Sequence, residues 1–204
     1  MLGGGPASGK SSLLESGATG TPGRDRAVHV NPDDIKTVLP ENPRMTNGPD
    51  SDFFHSAGFS HEESSMLAKH IQKVAISKGQ DIVLDGTGDS AVEKLAGKVE
   101  TARQSGYKVV GTYVTIPTEE AWRRSQDRAL GDSKRYVPKT VVLETHKAVS
   151  DTFDKAVRAG LFDSVTLWDN SERGNPRLVG EGNRKGFKVK DEGLWQAFLS
   201  KKEG

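Results

Sequence analysis

The chain has 204 residues, with 29 Lys and Arg against 28 Asp and Glu and a formal charge of +1. That length suits one domain that folds without disulfides or structural metals. The charge balance excludes a surface built throughout for nucleic acid or anionic membrane, though not a local basic patch. Cysteine is absent, which removes disulfide frameworks, Cys-based zinc sites, iron–sulfur clusters and thiol nucleophiles. No run approaches the ~20 apolar residues of a membrane span, and Gly and polar residues follow Met1 where a signal peptide would be apolar. A cytoplasmic protein is expected, with neither a membrane nor a nucleic-acid partner.

In chain order, short apolar runs alternate with amphipathic segments, the pattern of an α/β fold with a mostly parallel sheet. Ala27 to Val30 reads as a strand ending at Asn31-Pro32. Pro40 to Phe59, rich in Pro, Asn, Gly and Asp, is the longest stretch without a clear element, and loops of that length are often functional. Ser60 and Glu63 form a capping box for a helix whose apolar face is Leu67, Ile71, Val74 and Ala75, stopped by Gly79. Ile82 to Leu84 is a buried-type strand ending in Asp85. Ser90 and Glu93 form a second capping box, and Gly106 ends that helix before a strand from Tyr107 to Ile116. Thr118 caps a helix running to about Leu130, and a polar break follows over 131–135. Pro138 opens another helix, carrying Val142, Val149, Phe153 and Ala156 to Gly160. Val165 to Trp168 is a strand. The rest, 171–204, reads as a polar hairpin and a short C-terminal helix around Leu194 to Leu199, beyond a core of about 1–170.

Gly4-Gly5-Pro6-Ala7-Ser8-Gly9-Lys10-Ser11 fits the P-loop pattern G-x-x-x-x-G-K-[ST] without mismatch, and Ser12 continues into the following helix. Glycines let successive backbone N–H groups converge on phosphate oxygens. Lys10 supplies a point charge between the β- and γ-phosphates, and the Ser11 hydroxyl suits Mg²⁺. Asp85, an acid at the end of an apolar strand, has the Walker-B position for the same metal. Asp85-Gly86-Thr87-Gly88 also matches the D-x-x-G of GTPases, but no Asn-Lys-x-Asp guanine motif occurs, so the GTPase reading is weak; the expected nucleotide is ATP, with GTP as the alternative. Asp33, just past a strand whose carboxyl end should face the ligand crevice, is the candidate base, with Asp34 as fallback; a helix N-cap is the competing role for Asp33. Arg123, Arg124, Arg128 and Arg135 follow on a helix and the polar break. Arg123 and Arg124 read as solvated helix face, and Arg128 and Arg135 as the pair able to meet a transferring phosphoryl group. The five histidines lack metal-ligand spacing; His61, opening a helix beside the long loop, is the one with a claim on substrate.

Together these residues resemble the zeta-toxin family of P-loop kinases. The resemblance rests on the P-loop, Asn31-Pro32-Asp33-Asp34-Ile35-Lys36, His61-Glu62-Glu63-Ser64, Asp85-Gly86-Thr87, Gly106-Tyr107, Arg135 with Pro138, and Gly160-Leu161-Phe162, in that order. It implies a three-layer sandwich with helices on both faces of the sheet and an Arg-bearing lid. It also implies ATP- and Mg²⁺-dependent phosphorylation of the 3′-hydroxyl of UDP-N-acetylglucosamine. Lys10 and Ser11 match the P-loop pair, Asp33 the base, and Arg128 and Arg135 the lid arginines. His61, Glu62, Glu63 and Thr87 are then the acceptor-binding candidates, and a neutralising antitoxin is a candidate partner. One departure bears on the acceptor: the family's acidic substrate-binding residue falls near Lys69 here, with Glu62 and Glu63 about two turns earlier.

The reading is a single-domain small-molecule kinase. Its rivals are a kinase for a polynucleotide 5′-hydroxyl or an antibiotic hydroxyl, a nucleotide-binding or hydrolysing regulatory module, and an inert P-loop relic. A P-loop should follow a buried strand of about five residues. Only Met1-Leu2 precede the glycines, so the natural chain is expected to extend upstream.

Overall fold

The computed structural model describes residues 1–23, 25–39, 53–88, 91–130 and 137–203, with only the backbone path over 53–61. Residues divide into two units by their contacts, one formed by 1–23 with 87–204 and the other by 24–86.

The first unit holds a five-stranded sheet in the order β1-β4-β5-β6-β7. Its strands are β1 (Leu2–Gly3), β4 (Val110–Thr115), β5 (Ser164–Asp169), β6 (Arg177–Asn183) and β7 (Gly186–Val189). The pairings β1–β4 and β4–β5 are parallel, and β6 and β7 add antiparallel strands at the edge. The hairpin expected after 170 is therefore part of the sheet. Its helices are α1 (Lys10–Glu15), α4 (Val92–Gln104), α5 (Thr118–Leu130), α6 (Lys139–Arg158) and α7 (Glu192–Leu199), followed by a 3-10 turn, Ser200–Lys202.

Helix α6 forms because Val142, His146, Val149, Phe153 and Ala156 recur on one buried face. It ends because Gly160 accepts φ +60, where a Cβ would also meet the Arg184 carbonyl at 2.6 Å. Phe153 is the hub of the core: its ring meets Tyr113 at 4.8 Å and Phe198 at 5.5 Å, both edge-on. Leu95 and Val99 of α4, Leu167 of β5 and Trp195 of α7 belong to the same cluster.

The second unit holds a parallel pair, β2 (Val28–Val30) and β3 (Ile82–Leu84), with α2 (Pro32–Val38) and α3 (Phe53–Ser77). Counting both units, three of the five strand pairings among the described residues are parallel, as expected for this α/β class. Helix α2 starts where Asn31 accepts a hydrogen bond from Asp33 N and Pro32 takes the first helical position.

Four local expectations are corrected. Helix α3 begins at Phe53, so Ser60 is inside it and not at its N-terminus; Gly58 costs a helix about 1 kcal/mol but does not break one. The part of the expected loop before residue 53 lies outside the described residues. Leu67, Ile71 and Val74 are 37–39% exposed, and the buried face of α3 is Ser64, Ala68 and Ala75, small residues that let its backbone approach its neighbours. Helix α4 is capped at Ala91 without a side-chain bond, and Ser90 lies outside the described residues. Strand β4 starts at Val110, because the Val109 amide donates to the Asp163 carboxylate instead of a ladder partner.

Candidate functional site

Strand β1 delivers the chain directly into the glycine-rich loop, and α1 begins at Lys10. Gly9 stands at the N-cap with φ 86, a left-handed conformation that costs glycine little. Space also demands glycine there: a Cβ would come within 2.2 Å of Asn170 Nδ2, the group that donates to Ser8 O at 3.0 Å. Gly4 has φ +147 and its amide donates to the Thr87 carbonyl at 2.8 Å. Ala7 is left-handed at φ 59 without being glycine, a strain of about 1–3 kcal/mol of the kind that collects at ligand-binding loops. Lys10 Nζ donates to Gly4 O at 2.8 Å, folding its ammonium over the loop. Ser8 Oγ is buried with no hydrogen-bond partner among the described residues. The loop is thus a strained nest at a helix start, the form of an anion site.

Helix α5 corrects the reading of Arg124. Arg123, as expected, is on a solvated face, paired with Glu120 at 2.8 Å and Asp127 at 3.1 Å. Arg124, expected to be solvated too, is 4% exposed. Its Nε donates to Glu120 at 2.6 Å, one Nη to the Ser171 carbonyl at 2.6 Å, and the other reaches within 4.0 Å of the position a Gly9 Cβ would take. Residues 121, 124, 125 and 128 share one face of α5, and the first three are buried. Arg128 is one turn further along that face and exposed, and Arg135 lies outside the described residues. Arg124 therefore adjoins the P-loop. Glu120, held by the Arg123 hydrogen bond and then by Arg124, has its carboxyl lowered to about 2 against burial.

Two further groups support the loop. His146 of α6, 2% exposed, places Nε2 3.0 Å from Pro6 O. Asn170, just past β5, is 5% exposed and holds Ser8 O as described. Both were silent in the sequence, although His146 shares the helical phase of Val142 and Val149. A cavity of about 360 Å³ between α6, β7 and α7 is lined by Asp154, Arg158, Phe187 and Trp195 and by none of the candidate residues.

Within the second unit, Asn31 organises the acidic candidates. Its Oδ1 caps α2, so Asp33 is not the N-cap. Its Nδ2 donates to Asp85 Oδ2 at 3.2 Å and to Asp34 Oδ1 at 3.4 Å. Asp33, in the first turn, pairs with Lys36 at 3.5 Å, its side chain 42% exposed. Glu62, Glu63 and Lys69 are exposed on α3, and the side chain of His61 lies outside the described residues. Among the described residues no three His, Asp or Glu side chains form a metal-holding group, and no helix is long and apolar enough to cross a membrane.

Comparison with known proteins agrees with this fold. A chain of the crystal structure of AvrRxo1-ORF1:-ORF2 with ATP superposes with a TM-score of 0.72 at 23% identity, over 98% of this chain and 62% of that one. A structure from the PezAT chromosomal toxin–antitoxin system of Streptococcus pneumoniae superposes with a TM-score of 0.70 at 13% identity, over 97% of this chain and 75% of that one. This chain thus spans less than two thirds of the AvrRxo1 chain. No curated protein sequence matches. The sequence model of zeta toxins matches residues 1–175, and the chain belongs to the Zeta toxin family.

Proposed function

We propose that the protein is an ATP-dependent phosphotransferase that moves the γ-phosphate to a hydroxyl of a UDP-amino sugar. The observation that carries the reading is the P-loop itself: Gly4, Gly9 and Ala7 in left-handed or glycine-only conformations, with Lys10 folded over them. Membership of the Zeta toxin family and the likeness to a fold solved with ATP support a nucleotide there. The acceptor class rests on the family resemblance alone.

In this reading the backbone of Gly5 to Ser12 takes the phosphates, and Lys10 exchanges the Gly4 carbonyl for a phosphate oxygen. Arg124 adds a second cation from α5, with Arg128 and Arg135 further along the chain. Asp33 accepts the proton of the attacking hydroxyl; because Asn31 caps α2, its carboxylate is not committed to the helix end. The Ser11 hydroxyl and Asp85 carboxylate are hard oxygen donors of the kind Mg²⁺ takes, and the bound ion would neutralise charge on the phosphoryl group. Glu62, Glu63, His61 and Thr87 are the acceptor-side candidates. A neutralising antitoxin is the proposed protein partner, on the strength of the toxin–antitoxin neighbour, and the proposed location is the cytoplasm.

The test is incubation with labelled ATP, Mg²⁺ and a panel of UDP-sugars, nucleosides and a 5′-hydroxyl oligonucleotide. Label is expected on a UDP-amino sugar. Label on another acceptor overturns the substrate, and label only in inorganic phosphate overturns the kinase.

A further inference from the structure

A histidine beneath the P-loop and a lysine at the end of β4 are not used by the phosphate chemistry. The His146 ring fills the space under the loop: a Cβ on Gly5 would stand 2.4 Å from its Cδ2. That contact explains a glycine the P-loop pattern leaves open. Lys201 comes from the 3-10 turn after α7, beyond residue 175 where the family match ends. Its Nζ donates to Thr115 Oγ1 and to the Ile116 carbonyl, at the end of β4, the strand paired with β1. An ammonium is an expensive way to anchor a tail, since burial strips its water and an apolar side chain would dock more cheaply.

We propose that His146 and Lys201 are positioning residues for the phosphate site: His146 holds the Pro6 carbonyl through Nε2 and so the shape of the loop, and Lys201 brings the charge of the tail to bear on that ring. The inference rests on the reading that the P-loop holds nucleotide phosphate. The Pro6 carbonyl can only accept, which fixes the proton on Nε2. The turn that carries Lys201 packs on α6, where the neighbouring Lys202 pairs with Asp154 at 2.7 Å. Burial is the main cause that keeps the ring neutral, with Lys201 from the tail and Lys10 from the loop adding to it and the Pro6 hydrogen bond opposing it. Burial lowers the Lys201 ammonium to about 8 against the charge of Asp169 at the end of β5, so Lys201 is a cation below that pH. The tail thereby becomes part of the phosphate site: the loop keeps one shape and one charge from mildly acidic to neutral pH.

The experiment compares the whole chain with H146F, H146Q, K201M and K201R in two readouts. One is the titration of the His146 ring by NMR, assigned by its absence in H146F. The other is the dissociation constant for ATP. H146F should weaken ATP binding about 3- to 10-fold, the worth of one hydrogen bond, and H146Q, which keeps a donor, should recover most of it. K201M should raise the His146 midpoint by more than about half a pH unit, and K201R should leave it in place. ATP binding by H146F equal to that of the unmodified chain overturns the role of His146, and an unmoved midpoint in K201M overturns that of Lys201. Failure of the unmodified chain to bind ATP would overturn the nucleotide reading instead, and the NMR titration would still decide whether Lys201 acts on His146.

Discussion

Asn31 Nδ2 donates to Asp85 Oδ2 at 3.2 Å, while Asn31 Oδ1 accepts from the Asp33 amide at 2.9 Å. One amide side chain thus ties the end of β3 to the first turn of α2. Asn is the residue that can do this: its carbonyl caps a helix and its NH₂ donates to a carboxylate, whereas Asp at that position could only accept.

Replacing Asp33 with Asn should reduce phosphotransfer by about 10²- to 10⁴-fold, the range of general-base effects. ATP binding should change little, because the cap of α2 is Asn31 and the substitution leaves that cap in place. Equilibrium binding of a fluorescent ATP analogue alongside turnover separates the two. A variant that kept more than about a tenth of the rate would remove Asp33 from the role of base.

Asn31→Ala should cost about 1 kcal/mol through the lost cap. Asn31→Asp keeps a capping oxygen but sets a carboxylate beside Asp85 and Asp34. It should therefore destabilise more at low than at high ionic strength, where salt screens the repulsion. Urea unfolding at both values checks this; an Asp variant equally stable at the two would mean that Asn31 acts only as a cap.

Arg124→Ala should destabilise the fold by about 3 kcal/mol or more, since it leaves Glu120 and the Ser171 carbonyl without their buried partner. Arg124→Lys cannot satisfy both and should lose affinity for ATP even where it folds. Arg123→Ala, on the solvated face, should shift stability by less than about 1 kcal/mol. Equal losses of ATP affinity for the Arg123 and Arg124 variants would sink the assignment of Arg124 to the phosphate side.

The P-loop was legible because its information is local: eight consecutive residues specify a nest, and each reports its own requirement. The order of strands and helices was legible from periodicity for the same reason. The supports were not. His146 reaches Pro6 across 140 positions and Asn170 reaches Ser8 across 162, and no pattern in either neighbourhood announces the partner. Arg124 was misjudged because sequence places charge on the solvent side by default; only its phase with Ala121 and Ser125 signals burial. The face of α3 was misjudged in the opposite sense: size drew attention to Leu67 and Ile71, while close packing selected Ser64 and Ala68.

Stability should fall on acidification in two windows with different owners. Burial, aided by Lys201 and Lys10, lowers His146 from 6.5 to about 4. The unfolded chain therefore binds that proton first, so the stability tied to a neutral His146 is complete above about pH 6.5 and is lost as pH falls toward 4. In full it is worth about 3 kcal/mol. Glu120, lowered from 4.5 to about 2 by Arg123 and Arg124, contributes stability above about pH 4.5 that is lost as pH falls toward 2. Urea midpoints measured from pH 7 down to 3 should show H146F flatter than the unmodified chain above pH 4.5. E120Q should differ from it in slope only below that value. Parallel slopes for H146F and the unmodified chain between pH 6.5 and 4.5 would mean that His146 is not held neutral beneath the loop.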